Sequence, residues 1–144
     1  MGAPPVSAER FLPVTPATTG DLECFSAAHG TFRWCSCQRW RLRSTPFREA
    51  GKEGRVAALA GQVCAGDPVG VLAYDCDEPV GWCSIAPRES YAAVLAPRVI
   101  PQVPGERVWS VVCFFVAKPY RRRGLSTMLL DEAAKYARKR GARH

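Results

Sequence analysis

The chain has 144 residues, enough for one domain with a buried core, and its 47% hydrophobic and 23% charged content is ordinary for a globular protein. No run of about 18 apolar residues occurs, which excludes a membrane-spanning helix of the usual kind. The net charge is +7, and it is unevenly placed: Arg107–His144 carries +8 while Met1–Glu106 carries −1. An excess confined to the last quarter of the chain points to a polyanionic partner, either nucleic acid or a phosphate-rich small molecule.

In chain order, residues 1–9 are Pro/Ala-rich and are expected to be disordered, leaving a single domain over 10–144. Met1-Gly2-Ala3-Pro4-Pro5 has neither the basic start nor the apolar core of a secretory leader, so a cytoplasmic location is expected. Arg10–Val14 reads as an edge strand, because Pro13 cannot serve a central ladder. Thr18 to Glu23 offers capping residues ahead of Leu22, Phe25 and Ala28, a helix that should stop at Gly30. Thr31–Thr45 interleaves Phe32, Trp34 and Trp40 with four arginines. Pro46–Ala65 is a second helix with Val56, Leu59, Ala60 and Val63 on one stripe.

Val69–Tyr74 and Pro79–Ile85 read as an antiparallel hairpin across a four-residue acidic turn, Asp75 to Glu78. A short helix is expected from Arg88 to Leu95, then a loop from Pro97 to Gly105. Val108–Val116 is a nine-residue run, apolar apart from Ser110 and largely β-branched or aromatic, the pattern of a central strand covered on both faces. From Leu125 the positions Met128, Leu129, Ala133, Tyr136 and Ala137 define an amphipathic helix running to Arg140 and stopped at Gly141.

Seven cysteines are scattered through the chain, an odd number without disulfide-like spacing, which favours reduced thiols. Cys35 and Cys37 form the only close pair. Their one-residue separation and the lack of a second pair argue against a zinc site, so no metal is expected and buried small hydrophobes are the reading.

The chemistry concentrates where the apolar strand meets the last helix. Pro119 ends the strand, and Arg121-Arg122-Arg123-Gly124-Leu125-Ser126 leads straight into the first helical turn. A helix start presents unpaired N–H groups and partial positive charge. Gly124 allows close approach to the backbone, Ser126 adds a hydroxyl, and three arginines supply charge. This is a phosphate-binding strand–turn–helix.

The run from Val116 to Ser126 resembles the acetyl-CoA signature of the GNAT superfamily of N-acetyltransferases, Arg/Gln-x-x-Gly-x-Gly/Ala. Arg121, Gly124 and Ser126 fill its three defined places, with serine replacing the last small residue; Val116 and Tyr120 also fit the approach to the motif. Trp34-Cys35-Ser36-Cys37-Gln38-Arg39-Trp40-Arg41 is similar to a Cys-x-x-x-Trp-Arg segment of one subgroup. The resemblance implies an α/β (α+β) fold, a mixed central sheet flanked by helices. It also implies acetyl-CoA as co-substrate, with Phe114 and Val116 at the pantetheine arm. Arg121, Arg122, Arg123, Gly124, Leu125, Ser126 and Thr127 would then lie at the phosphates. Trp34, Trp40 and Arg41 are its acceptor-side candidates, with core packing as the competing role for the tryptophans.

The family continues past its third helix with further strands, so the resemblance implies an open edge on the central strand; either a second chain or a homo-oligomer completes it, or the fragment is trimmed or partly disabled. The implied reaction is direct attack of an amine, from a small molecule or peptide, on the acetyl thioester. The residues name no general base: Glu78 and Glu106 are candidates, and Cys113 is read as a buried inert thiol rather than an acyl carrier. Two other readings stand beside it, a non-catalytic acyl-CoA-binding subunit and a basic nucleic-acid-binding module built on Arg121–Arg123 and Lys135–Arg140.

Overall fold

The structure is a computed structural model that describes residues 10–29, 37–91 and 104–144. Its elements are β1 (Arg10–Pro13), α1 (Thr19–Ala28), α2 (Gln38–Arg41), α3 (Ser44–Cys64), β2 (Gly70–Asp75), β3 (Glu78–Pro87), β4 (Trp109–Val116) and α4 (Leu125–Lys139). One-turn 3₁₀ segments, Arg88–Ser90 and Lys118–Tyr120, follow β3 and β4. The strands form one sheet in the order β1-β2-β3-β4, antiparallel at every pairing.

The sheet lies between two helical layers because its middle strands are apolar on both faces. On one face Leu72, Tyr74 and Trp82 meet Leu22 and Phe25 of α1 and Leu59 and Val63 of α3. On the other, Val71, Ala73, Val80, Cys83 and Ile85 meet Leu125, Leu129, Ala133 and Ala137 of α4. The four α4 residues are spaced by four, so they form one narrow stripe. Gly81 keeps the sheet low beneath it: a Cβ there would stand 3.1 Å from Leu129 Cδ2.

α4 ends as expected. Gly141 (φ +99°) donates to Arg138 C=O and Ala142 donates to Ala137 C=O, the paired bonds of a Schellman stop. α3 runs over the expected stretch and ends on a similar pair at Gly66 and Asp67. It is also kinked at Gly51 (φ +65°, ψ −176°), which the apolar stripe does not reveal.

Three expectations are corrected. The hairpin turn has two residues, not four: Asp75 and Glu78 pair with each other across Cys76-Asp77, with Cys76 in the left-handed region. The helix after β3 is only the 3₁₀ turn at Arg88–Ser90; residues 92–95 lie outside the described residues.

The third correction concerns the apolar strand, which is not central among the described residues. β4 ends the sheet and pairs along its length with β3 alone. Its apolar character has a different cause on each face. Cys113 and Phe115 pack into the α1 and α3 layer, whereas α4 crosses over β2 and β3. Val111 and Phe114 therefore remain 43% and 37% exposed. The last residues close the start of this edge: Arg143 N–H donates to Arg107 C=O and Trp109 N–H to His144 C=O. The expected disorder of residues 1–9 and the expected stop at Gly30 lie outside the described residues.

Candidate active site

β4 reaches Val116, and Ala117 N–H donates to Val80 C=O, keeping the chain on the sheet for one more residue. Pro119 then turns it through the 3₁₀ segment. Two side chains fix this turn. The Tyr120 hydroxyl donates to Asp75 Oδ2 at 2.7 Å, joining the turn to the β2–β3 hairpin and raising the pKa of the phenol. Arg121 Nε donates to Val116 C=O at 2.8 Å, and its guanidinium carbon stands 5.3 Å from the Phe115 ring centroid.

The first arginine of the motif is thus folded back onto the strand end. Arg122 and Arg123 follow, with Arg122 exposed and itself at φ +60°. Gly124 (φ +81°) is the residue ahead of the first helical turn, which has neither a side-chain cap nor an acidic residue. The first carbonyl bond of α4 runs from Met128 N–H to Gly124 C=O, so the N–H groups of Leu125, Ser126 and Thr127 precede it. A Cβ at Gly124 would meet no atom within 4 Å, so the space above the turn is open. Ser126 and Thr127 are exposed, while Leu125 is buried in the core and offers only its backbone to a ligand.

The geometry accommodates a compact polyphosphate: an open glycine, uncapped N–H groups and the exposed Arg122 at a helix start. Phe114 and Val116 lie on adjoining β4, the first exposed and the second buried.

On the acceptor side, Trp34 lies outside the described residues. Trp40 is half-buried and packs beside Ala86 and Tyr91. Arg41 turns inward: its Nη2 donates to Pro68 C=O at 3.0 Å, and its guanidinium lies 4.9 Å from the Tyr91 ring centroid. Glu78, the first residue of β3, and Glu106, in the loop before β4, are both exposed.

Sequence reasoning missed a neighbour of this face. His29, at the end of α1, stands 5.2 Å from Phe115 and 4.5 Å from Phe25 between ring centroids. Nothing local to Ala28-His29-Gly30 predicts that approach, which depends on α1 packing across β4. Among the described residues no cluster of three or more metal-binding side chains occurs, and no helix is long and apolar enough to cross a membrane.

Residues 34–144 match the profile of the acetyltransferase (GNAT) family. The chain belongs to that family. It is therefore a GNAT-family acyltransferase, and solved structures reproduce its fold at low identity. The aminoglycoside N-acetyltransferase AAC(6')-Iy, solved in complex with CoA, is 13% identical with a TM-score of 0.61, covering 93% of this chain and 72% of that one. The aminoglycoside 6'-N-acetyltransferase AAC(6')-IG from Acinetobacter haemolyticus is 16% identical at 0.55, covering 92% and 74%. A GCN5-related N-acetyltransferase from Ralstonia eutropha is 14% identical at 0.54, covering 92% and 78%. No curated protein matches the sequence.

Proposed function

We propose that this acyltransferase moves an acetyl group from acetyl-CoA to an amine, binding the CoA pyrophosphate at the turn from Arg121 to Thr127. The observation that carries the reading is the uncapped α4 start beneath an open, left-handed Gly124. Arg122, Arg123 and the N–H groups of Ser126 and Thr127 are the phosphate ligands. Leu125 contributes its N–H, and Arg121 shapes the turn by holding Val116 C=O. The main chain at Phe114 and Val116 holds the pantetheine arm along β4, whose second edge carries no strand among the described residues.

Acetyl-CoA supplies an activated thioester; the chain supplies position. β4 fixes the thioester against the sheet, which replaces a bimolecular encounter by an oriented one. A main-chain N–H directed at the carbonyl oxygen stabilises charge that develops there as the amine attacks. The acceptor enters from the α1 and α2 side, where Trp40, His29 and Phe115 supply apolar and aromatic surface.

Nucleic acid is the weaker reading, because Arg121 is committed to the fold, which leaves Arg122 and Arg123 beside an open glycine turn that suits a compact phosphate. Thermal unfolding with CoA, acetyl-CoA or a DNA duplex tests the proposal. Ligand at 100-fold its Kd should stabilise the chain by about 2.7 kcal/mol, raising Tm by roughly 5 to 10 °C. A flat response to both CoA species, or an equal response to DNA, overturns it.

A further inference from the structure

The turn that leads into α4 is anchored to the tip of the β2–β3 hairpin, 45 residues earlier in the chain. Two bonds make the attachment. Val80, passed over between the Ala73–Gly81 and Tyr74–Pro79 pairs of β2 and β3, gives its carbonyl to Ala117 N–H at 2.9 Å. Just beyond, the Tyr120 hydroxyl donates to Asp75 Oδ2 at 2.7 Å. Asp75 is the last residue of β2 and pairs with Glu78 across the two-residue turn, so the sheet fixes its backbone. The tip is steadied further by Arg10, whose Nη2 stands 3.3 Å from Asp77 Oδ1. The Tyr120 ring packs against both core layers, so the direction of its hydroxyl is set from two sides.

We propose that Tyr120 is a positioning residue for CoA, held by its bond to Asp75, an inference that rests on the phosphate turn being the CoA site. Neither residue is among the phosphate ligands. Both act by fixing where the turn begins. Tyr120 lies four residues before Gly124, and the buried Leu125 holds the far end. Arg122, Arg123 and Gly124 are thus suspended between two fixed points. Backbone N–H groups bind an anion well only if they converge beforehand, because ordering them on binding subtracts from affinity. A hydrogen bond to an ionised carboxylate is about twice as strong as a neutral one, which suits it to this task.

Position and charge make opposite predictions here. A carboxylate near a phosphate site repels the ligand, so charge alone would make any neutral residue at 75 bind CoA more tightly. Position requires an acceptor oxygen at 75 and a donor at 120, whatever the charge. Removing either should therefore weaken binding, and a neutral acceptor should restore it.

Calorimetric titration of the full chain with CoA provides the test, at a temperature where circular dichroism shows each variant folded. Tyr120→Phe keeps the ring and its core contacts but deletes the donor, and Asp75→Ala deletes the acceptor. Each should raise Kd about tenfold. The double variant should be no weaker than either single one, because the same bond is removed twice. Asp75→Asn keeps an acceptor oxygen and should recover Kd to within about threefold of the unaltered chain. In the free protein, amide exchange over residues 121–127 should quicken in Tyr120→Phe while the rest of α4 is unchanged. Should Asp75→Ala fail to fold, Tyr120→Phe and Asp75→Asn still decide the matter. An unchanged Kd in Tyr120→Phe, when the unaltered chain binds CoA, overturns the inference and leaves the phosphate turn standing. So does tighter binding by Asp75→Ala, or a double variant whose loss is the product of the single losses. No CoA binding by the unaltered chain overturns the CoA site itself, and this inference with it.

Discussion

Gly124 and Gly141 sit at the two ends of α4, both with positive φ, and at neither would an added Cβ meet an atom within 4 Å. Alanine at either position should cost about 1 kcal/mol, the strain of a left-handed non-glycine residue. Only Gly124→Ala places its methyl in the approach to the phosphate turn. Calorimetric titration with CoA should therefore show Kd raised at least about tenfold for Gly124→Ala, a loss of about 1.4 kcal/mol, with Gly141→Ala unchanged. Equal affinities for the two variants would move the ligand away from the turn. Gly124 was legible in the sequence because its spacing from Arg121 and Ser126 carries a local mechanism. The inward bond of Arg121 was not, since its acceptor is a carbonyl freed only where β4 ends at Val116. The same holds for Arg41, whose partners Pro68 and Tyr91 come from other elements.

α4 is both the lid of one core layer and the element whose start forms the turn, so its packing and the site are mechanically linked. Leu129 is fully buried at its centre, while adjacent Met128 remains 39% exposed. Leu129→Ala should lower the unfolding free energy by about 2 to 5 kcal/mol, and Met128→Ala by about 0.5 kcal/mol or less, measured by urea denaturation at constant m-value. A large Met128 effect would mean that α4 is seated differently on the sheet. The helix itself was readable, because Leu125, Leu129, Ala133 and Ala137 recur every four residues and Gly141 ends them. The place of β4 was not. An apolar run records how much surface a strand could bury, and leaves unstated which helix lies over it. Here α4 crosses β2 and β3, leaving Val111 and Phe114 uncovered. The kink in α3 was equally silent, as Gly51 interrupts no apolar position of the stripe.

For the molecule as a whole, the buried acids set how stability varies with alkalinity. Burial, aided by the nearby Cys113, raises Cys83 from 9.0 to about 12, and burial raises Tyr91 from 10.0 to about 12. Tyr74 is raised too, by burial first and then by its hydrogen bond to Asp21. Each raised group holds its proton more tightly in the folded chain than in the unfolded one. Its contribution is complete below the unfolded pKa and is lost as pH climbs toward the folded value. Cys83 alone should thus remove about 1.4 kcal/mol per pH unit above 9, and the two tyrosines steepen the fall above 10. Cys113 has the opposite sign: its lowered pKa adds stability as pH rises toward 9.0, and adds no more beyond it. Under reducing conditions the unfolding free energy should therefore hold or rise up to about pH 9, then decline with increasing slope. In Cys83→Ala the decline should begin near 10 instead, whatever that variant loses at pH 7. Urea midpoints between pH 7 and 10.5 measure both curves, and an onset unchanged by the substitution would mean that the Cys83 thiol is not sealed beneath α4.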